Sequence, residues 1–400
     1  MEAFAKQAFD NYVKIDFMFD QSARSLFEQD LDPRRIVRLI ELRSGQTVSP
    51  GGTLIIFDEI QEAPRGLTSL KYFCEQAREY HVIAAGSYMG MALRRKGESF
   101  PVGKVDELAL RPLSFPEFVR AIAGDPLADE LESAAMENLA LVSETLNRLL
   151  REYFVVGGMP EAVSSYKQNR DLARARELQQ RILSDYDADF GKHAPERILE
   201  RMRLVWKSLP GQLARENKKF VYGAVRPGAR SRDFEECLQW LVDYGAVNKV
   251  SRVSALRVPL LSYEDLSAFK LFSVDVGLLG AAAGLDPAAI LDKSRLFTEF
   301  KGALTEQYVE QELLCKGLSP VYWSSDTGTA ETDFCIPFEG SVLPIEVKAG
   351  ENLRSKSLRV ACEKFGLGKA LRTSLSPYRR EEKLVNVPLW AIGSFDKLLG

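Results

Sequence analysis

The 400-residue chain predicts an α/β protein in three segments: a parallel sheet covered by helices over 1–125, a helical and helix-and-wing middle over 126–290, and a second α/β segment over 291–400. Three observations carry this expectation. Strand and helix signals alternate through the first segment, which is the rhythm of parallel strands joined by helical crossovers. The middle is dominated by long stretches of helical spacing. After residue 298 a helical stretch is followed by several short strand-like runs. A chain of this length also exceeds what one hydrophobic core usually organises.

The elements follow in order. "VKIDF" (Val13–Phe17) reads as a short strand, and "PRRIVRLIELRSG" (Pro33–Gly45) as a helix with proline at its start and glycine at its end. "TLIIFDE" (Thr53–Glu59) is a buried strand. "GLTSLKYFCEQAREY" spaces Leu67, Leu70, Phe73 and Ala77 as a helix does, and "HVIAAGS" (His81–Ser87) is the next buried strand. Ser114 is placed to cap a helix that carries Pro116 in its first turn. Helices in the middle stop at Gly157–Gly158 and Pro160, where the glycines permit positive φ. The helix ending at Gly245 and the strand-like runs at 246–250 and 270–280 suggest a winged helix. A helix from Thr298, strands at "PVYWSS", "TDFCIPF" and "VLPIEVKAG", a helix near Leu353–Phe365 and a strand near Ala370–Leu375 complete the chain.

Composition limits the function classes. Hydrophobic residues at 46% and charged residues at 27% describe a globular chain, and no apolar run approaches a membrane span. Cys74, Cys237, Cys315, Cys335 and Cys362 fit neither zinc spacing nor a disulfide framework, so a cytoplasmic setting is expected. With only His81 and His193, histidine-based metal sites and triads are disfavoured. The net charge of −3 argues against a surface that coats nucleic acid throughout. Between Ser341 and Gly400, however, 11 basic residues face 6 acidic ones, so nucleic-acid contact is expected to be local and C-terminal.

Two constellations carry chemistry. Asp58 and Glu59 end a strand whose carboxyl end opens on the crevice where α/β proteins bind ligands. There Asp58 could hold Mg²⁺ and Glu59 could orient and deprotonate an attacking water; a solvated acidic turn is the plain alternative. In the last segment Asp333 begins one strand, and Glu346 and Lys348 close the next, on one side of it by the period of two. Asp333 and Glu346 could share a divalent metal, Lys348 could steady a water or a phosphate, and Glu306 on the preceding helix could add a carboxylate.

These residues carry a resemblance. "IIFDEIQ", "AAGSYM", "LALRPLSFPEF", "YFVVGGMPEAV", "LSDYDADFGKH", "FKLFSVDVGLL", "FTEFKGALTEQYVEQELL" and "LPIEVKAG" together resemble a prokaryotic AAA+ ATPase family, P-loop NTPases with a C-terminal domain of unknown function. The resemblance spans essentially the whole chain. It implies that Asp58–Glu59 is the Walker B pair, that Ser87 is the sensor that helps place the water, and that ATP and Mg²⁺ are the cofactors. Asp58 and Ser87 would contact the nucleotide and its metal, and Arg94, Arg95 or Arg111 could serve a neighbouring subunit's site in an oligomer. The Glu306…Asp333…Glu346-Val347-Lys348 pattern resembles the PD-(D/E)XK nuclease superfamily, a restriction-endonuclease-like fold.

One family element is missing. No GxxxxGK[ST] phosphate loop occurs; Gly103–Lys104, Gly191–Lys192 and Gly368–Lys369 lack the preceding glycine. Beside the family, the chain reads as an amino-terminally shortened form lacking roughly 35–45 residues. It is expected to bind ATP poorly, while the full-length form hydrolyses it. The expected partners are ATP, DNA at the C-terminal domain and a protein at the winged helix, where Glu235, Glu236 and Asp243 offset Arg226, Arg230 and Arg232. The competing expectation is a non-catalytic DNA- or protein-binding protein with degenerate sites.

Overall fold

The run Thr53–Asp58 forms the middle strand of a three-stranded parallel sheet in the computed structural model of this chain. The structure describes residues 1–86, 103–215, 217–288, 298–325, 328–350 and 355–399. They divide into two compact units, Met1–Ala109 with Asp243–Gly245, and Leu110–Val242 with Ala246–Gly400.

In the first unit the sheet order is β1 (Asn11–Asp16), β2 (Thr53–Asp58), β3 (His81–Ala84). The register sets Asp16 beside Asp58 and Ala84 beside Phe57. Helices α1 (Glu2–Ala8), α2 (Pro33–Ser44) and α3 (Pro64–Gln76) accompany the strands. β2 is apolar on both faces because both are covered. Ile55 and Phe57 pack with Val13, Ile15, Phe27 and Phe73, whereas Leu54 and Ile56 pack with Ala5 and Ile83. Phe57 meets Phe17 and Phe27 at centroid distances of 5.6 and 5.7 Å. The ends of α2 are set by local chemistry: Asp32 accepts the Arg34 N–H at 3.0 Å, Pro33 occupies the first turn, and Gly45 closes the helix at φ 68°. Among the described residues β3 pairs on one side alone, and Val82 and Ile83 are half-buried.

The second unit holds helices α4 (Phe115–Ala123), α5 (Asp125–Ser133), α6 (Met136–Leu141), α7 (Ser143–Val156), α8 (Pro160–Asn169), α9 (Leu172–His193), α10 (Glu196–Leu213), α11 (Tyr222–Val225), α12 (Ser231–Tyr244), α13 (Val276–Ala282), α14 (Thr298–Cys315), α15 (Lys356–Phe365) and α16 (Phe395–Leu399). Its strands are β4 (Val247–Val253), β5 (Glu264–Ser273), β6 (Val321–Ser324), β7 (Glu331–Phe338), β8 (Ser341–Val347), β9 (Ala370–Ser374), β10 (Arg379–Arg380) and β11 (Leu384–Pro388). Among the described residues they form one mixed sheet in the order β10-β11-β9-β8-β7-β6-β4-β5.

One hydrophobic core runs from Phe115 to Leu399 through the second unit. The physical link is the β4–β5 hairpin, expected as a wing. β4 pairs in parallel with β6, Arg252 beside Tyr322 and Val253 beside Trp323, so the hairpin extends the carboxy-terminal sheet. The expected cap at Ser114 is present as a capping box with Glu117. Gly157 adopts φ 68° at the end of α7.

The helix α14 positions much of this unit. It is buried nearly all round, including Glu306, Gln307, Glu310, Gln311 and Glu312. Several of these polar side chains satisfy remote segments. Gln307 accepts the Ser273 N–H and donates to the Ser273 carbonyl, both at 2.8 Å. Gln311 accepts the Val276 N–H at 3.0 Å, and Glu312 accepts the Phe115 N–H at 2.7 Å. A polar helix can be buried in this way where its groups moved from water find partners, as Gln307, Gln311 and Glu312 do.

Candidate functional sites

The first candidate site is the carboxyl end of β2. Asp58 Oδ2 lies 2.8 Å from Lys14 Nζ on β1, and Lys14 also holds Glu2 at 3.2 Å. The hydrogen bond to Asp58 and then that to Glu2 raise the Lys14 pKa. Glu59 sits in the left-handed region at φ 51° and ψ 45°, sparsely populated for a side chain with a Cβ. That conformation turns the chain at once into the 3₁₀ turn Ile60–Glu62, keeping both acids at the strand end. The turn is fixed by Ile60 N–H donating to the Ala85 carbonyl at 3.0 Å, while Gln61 donates to Glu59. Asp58 Oδ1 accepts only a long bond, 3.2 Å, from the Glu59 N–H. A partly exposed carboxylate of this kind fits Mg²⁺, which commonly takes one or two protein carboxylates and completes its shell with phosphate and water. Ser87, Arg94 and Arg95 lie outside the described residues. Arg111 belongs to the second unit, where its Nη1 lies 3.4 Å from Asn248 Oδ1.

The second candidate site lies in the second unit, where α14, β7 and β8 bring Glu306, Asp333 and Glu346 within electrostatic reach of one another. Lys348 Nζ contacts Glu346 Oε1 at 2.5 Å. The Val347 N–H donates to Asp333 Oδ2 at 2.7 Å. Burial, followed by the charges of Glu306 and Glu346, pushes the Asp333 carboxyl up. Burial acts in the same sense on Glu306, but Lys270 and Lys218 outweigh it and hold that carboxyl below its ordinary value.

Three members of this cluster lay outside the motif: Lys218, Lys270 and Glu331. Lys218 Nζ meets Glu306 Oε1 at 2.6 Å. Lys270, 1% exposed, meets Glu331 Oε1 at 2.6 Å and Glu306 Oε2 at 3.7 Å, and lies 4.9 Å from the centre of the Tyr322 ring. Segment 217–221 reaches the site by pairing along β5: Phe220 N–H donates to the Phe269 carbonyl, and Lys219 bridges Lys270. A single lysine inside the apolar run "AFKLFSV" was the available signal, since a lysine is almost never fully buried unless it is paired.

The cluster as built does not fit a divalent metal. Each motif acid already receives a donor from the chain: Glu306 from Lys218, Glu346 from Lys348 and Asp333 from the Val347 N–H. Among the described residues no three His, Cys, Asp or Glu side chains converge in an arrangement that could hold a metal ion.

A third buried cluster is architectural. Asp275 accepts the Gly158 N–H at 2.6 Å and the Leu278 N–H at 2.9 Å, and Gln311 donates to it at 3.3 Å. It ties the "GGMP" turn to the start of α13.

Among the described residues no helix is long and apolar enough to cross a membrane. Residues 1–119 match a family model described as an AAA domain, residues 147–289 a domain of unknown function (DUF8612), and residues 301–392 a second domain of unknown function (DUF4143). No curated protein and no solved structure matches the chain. The amino-terminal segment is therefore similar to AAA, P-loop ATPase-like domains, a class that in general uses a nucleotide and Mg²⁺, and it precedes a carboxy-terminal domain whose function the match does not name.

Proposed function

We propose that the first unit is the Mg²⁺- and water-handling part of an ATPase, with Asp58 and Glu59 in those two roles. The observation that carries this reading is the geometry of the strand end. Consecutive acids leave the middle strand of a parallel sheet, and Glu59 is held in a left-handed turn that keeps it beside Asp58. Bound Mg²⁺ would neutralise charge on the phosphates of ATP. Asp58 would hold that cation, and Lys14 fixes its carboxylate. Glu59, oriented by Gln61, accepts a proton from the attacking water. The sequence has no GxxxxGK[ST] loop to grip the phosphates, so the affinity of this chain for ATP is low.

Titration calorimetry and a phosphate-release assay test the proposal. The expected result is Mg²⁺-dependent ATP binding with a Kd of about 1 mM or weaker. Asp58→Ala removes the Mg²⁺ dependence, and Glu59→Gln leaves binding intact but stops any turnover. Indistinguishable Mg²⁺-ATP titrations of the Asp58→Ala chain and the parent chain, or micromolar ATP affinity, overturn it.

For the second unit the reading is a nuclease-like fold. Its support is the placement of Glu306 on a helix, Asp333 on one strand and Glu346 and Lys348 at the end of the antiparallel neighbour. A partner at the middle helix α12 is read as protein rather than DNA, because exposed Arg226, Arg230 and Arg232 are offset by exposed Glu235 and Glu236.

A further inference from the structure

We infer that the Lys270 ammonium is a tethered cation standing where a nuclease-like fold would hold a divalent metal, so that the Glu306–Asp333–Glu346 site is closed to metal ions by the chain itself. The inference rests on the nuclease-like reading of the second unit and goes beyond it by naming what fills the site.

Four carboxyl groups, Glu306, Glu331, Asp333 and Glu346, are gathered at one place with three ammonium groups, Lys218, Lys270 and Lys348. A divalent cation entering this cluster would meet ammonium charge at close range. The three lysines also differ in kind. Lys218 and Lys348 keep 13% and 32% of their side chains exposed, so they stand at the mouth. Lys270 keeps 1% and comes from the interior of β5, between the buried residues Phe269 and Leu271. An ammonium so deep persists only where acids surround it. Its neighbours supply this: Glu331 at 2.6 Å, Glu306 Oε2 at 3.7 Å and the face of Tyr322. Glu306 Oε2 and Glu346 Oε2 are buried and have no hydrogen-bond partner, and the Lys270 ammonium stands 3.7 Å from Glu306 Oε2. Removing the lysine exposes them to a replacement cation.

The test uses the full chain in an Asp58→Ala background, which eliminates the strand-end acid of the first unit as a metal ligand. Parent, Lys270→Arg and Lys270→Met/Glu331→Gln chains are titrated with Mn²⁺ by electron paramagnetic resonance. They are then melted with Mn²⁺ or with EDTA, read by tryptophan fluorescence. The parent and Lys270→Arg chains are expected to bind no Mn²⁺ in this unit and to melt at the same temperature in both buffers. The double variant is expected to bind Mn²⁺ at least about tenfold more tightly than the parent and to regain melting temperature with it. Mn²⁺ binding by the parent that is lost on Glu306→Gln overturns the inference and leaves the nuclease-like reading standing. A double variant that folds but binds no Mn²⁺, or that fails to fold with Mn²⁺ present, overturns the inference and the nuclease-like reading together.

Discussion

Replacing Glu310 with glutamine should remove a measurable part of the pH dependence of the second unit. Glu310 is fully buried on α14. Its Oε2 has only long contacts, with Asn248 Nδ2 at 3.4 Å and Gln307 Nε2 at 3.5 Å, and its Oε1 is buried with no hydrogen-bond partner. Burial therefore pushes its pKa from 4.5 up to about 8, against smaller opposing effects of Asn248 and Arg111. The sign follows from proton counting. Between 4.5 and about 8 the folded chain keeps a proton that the unfolded chain releases. Stability from this group is complete below the unfolded value and is lost as the pH climbs through the folded value. The slope is about 1.4 kcal/mol per pH unit, so one such carboxyl removes roughly 4 kcal/mol between pH 5 and pH 8.

Glu312, also pushed to about 8 by burial, acts in the same direction, so the parent chain loses stability along a steeper line than one group explains. The difference between parent and variant isolates Glu310. Trp206, Trp240, Trp323 and Trp390 all belong to the second unit, which makes tryptophan fluorescence in urea a selective probe of its unfolding. Across pH 5, 6, 7 and 8 the Glu310→Gln chain should gain on the parent by about 1.4 kcal/mol per unit. Parallel stability curves for the two chains would refute the reasoning, because they would mean that Glu310 is ionised in the folded state at pH 5 already.

Two further substitutions probe packing. A Cβ on Gly158 would stand 2.1 Å from the Leu113 carbonyl oxygen and 2.7 Å from its nitrogen, both backbone atoms that cannot swing away. Gly158→Ala should cost about 3 kcal/mol or more, seen as an earlier urea midpoint in the same fluorescence assay. In the first unit, Phe57→Ala opens a cavity among Phe17, Phe27 and Phe73 and should cost roughly 3–5 kcal/mol, read as accelerated proteolysis within residues 1–109.

What could be read in the sequence was what is encoded locally. Asp32, Pro33 and Gly45 mark α2 because caps act within a few residues, and Leu54–Phe57 mark β2 because a strand covered on both faces must be apolar throughout. The acids Asp58 and Glu59 were legible for the same reason: they sit where the apolar run stops. The hairpin Val247–Ser273 gave no such cue to its partner. Its pairing with β6 joins residues 252 and 322, and no local signal specifies a parallel neighbour that distant.

The helix α14 explains why the second site was only half visible. In sequence "TEQYVEQELL" carries Glu306, Glu310 and Glu312, residue types seldom buried unless paired. In the fold this helix is interior, and its polar side chains serve as bonding points for segments from Phe115 to Val276. An acid can occupy such a position only if it is paired or protonated, and α14 uses both solutions. Glu306 has lysines, whereas Glu310 and Glu312 bind their protons tightly. The same rule requires a buried cation wherever a buried carboxylate remains charged. Lys270, together with Lys218, supplies such cations near Glu306, and this grouping becomes recognisable only when strand and helix are seen together.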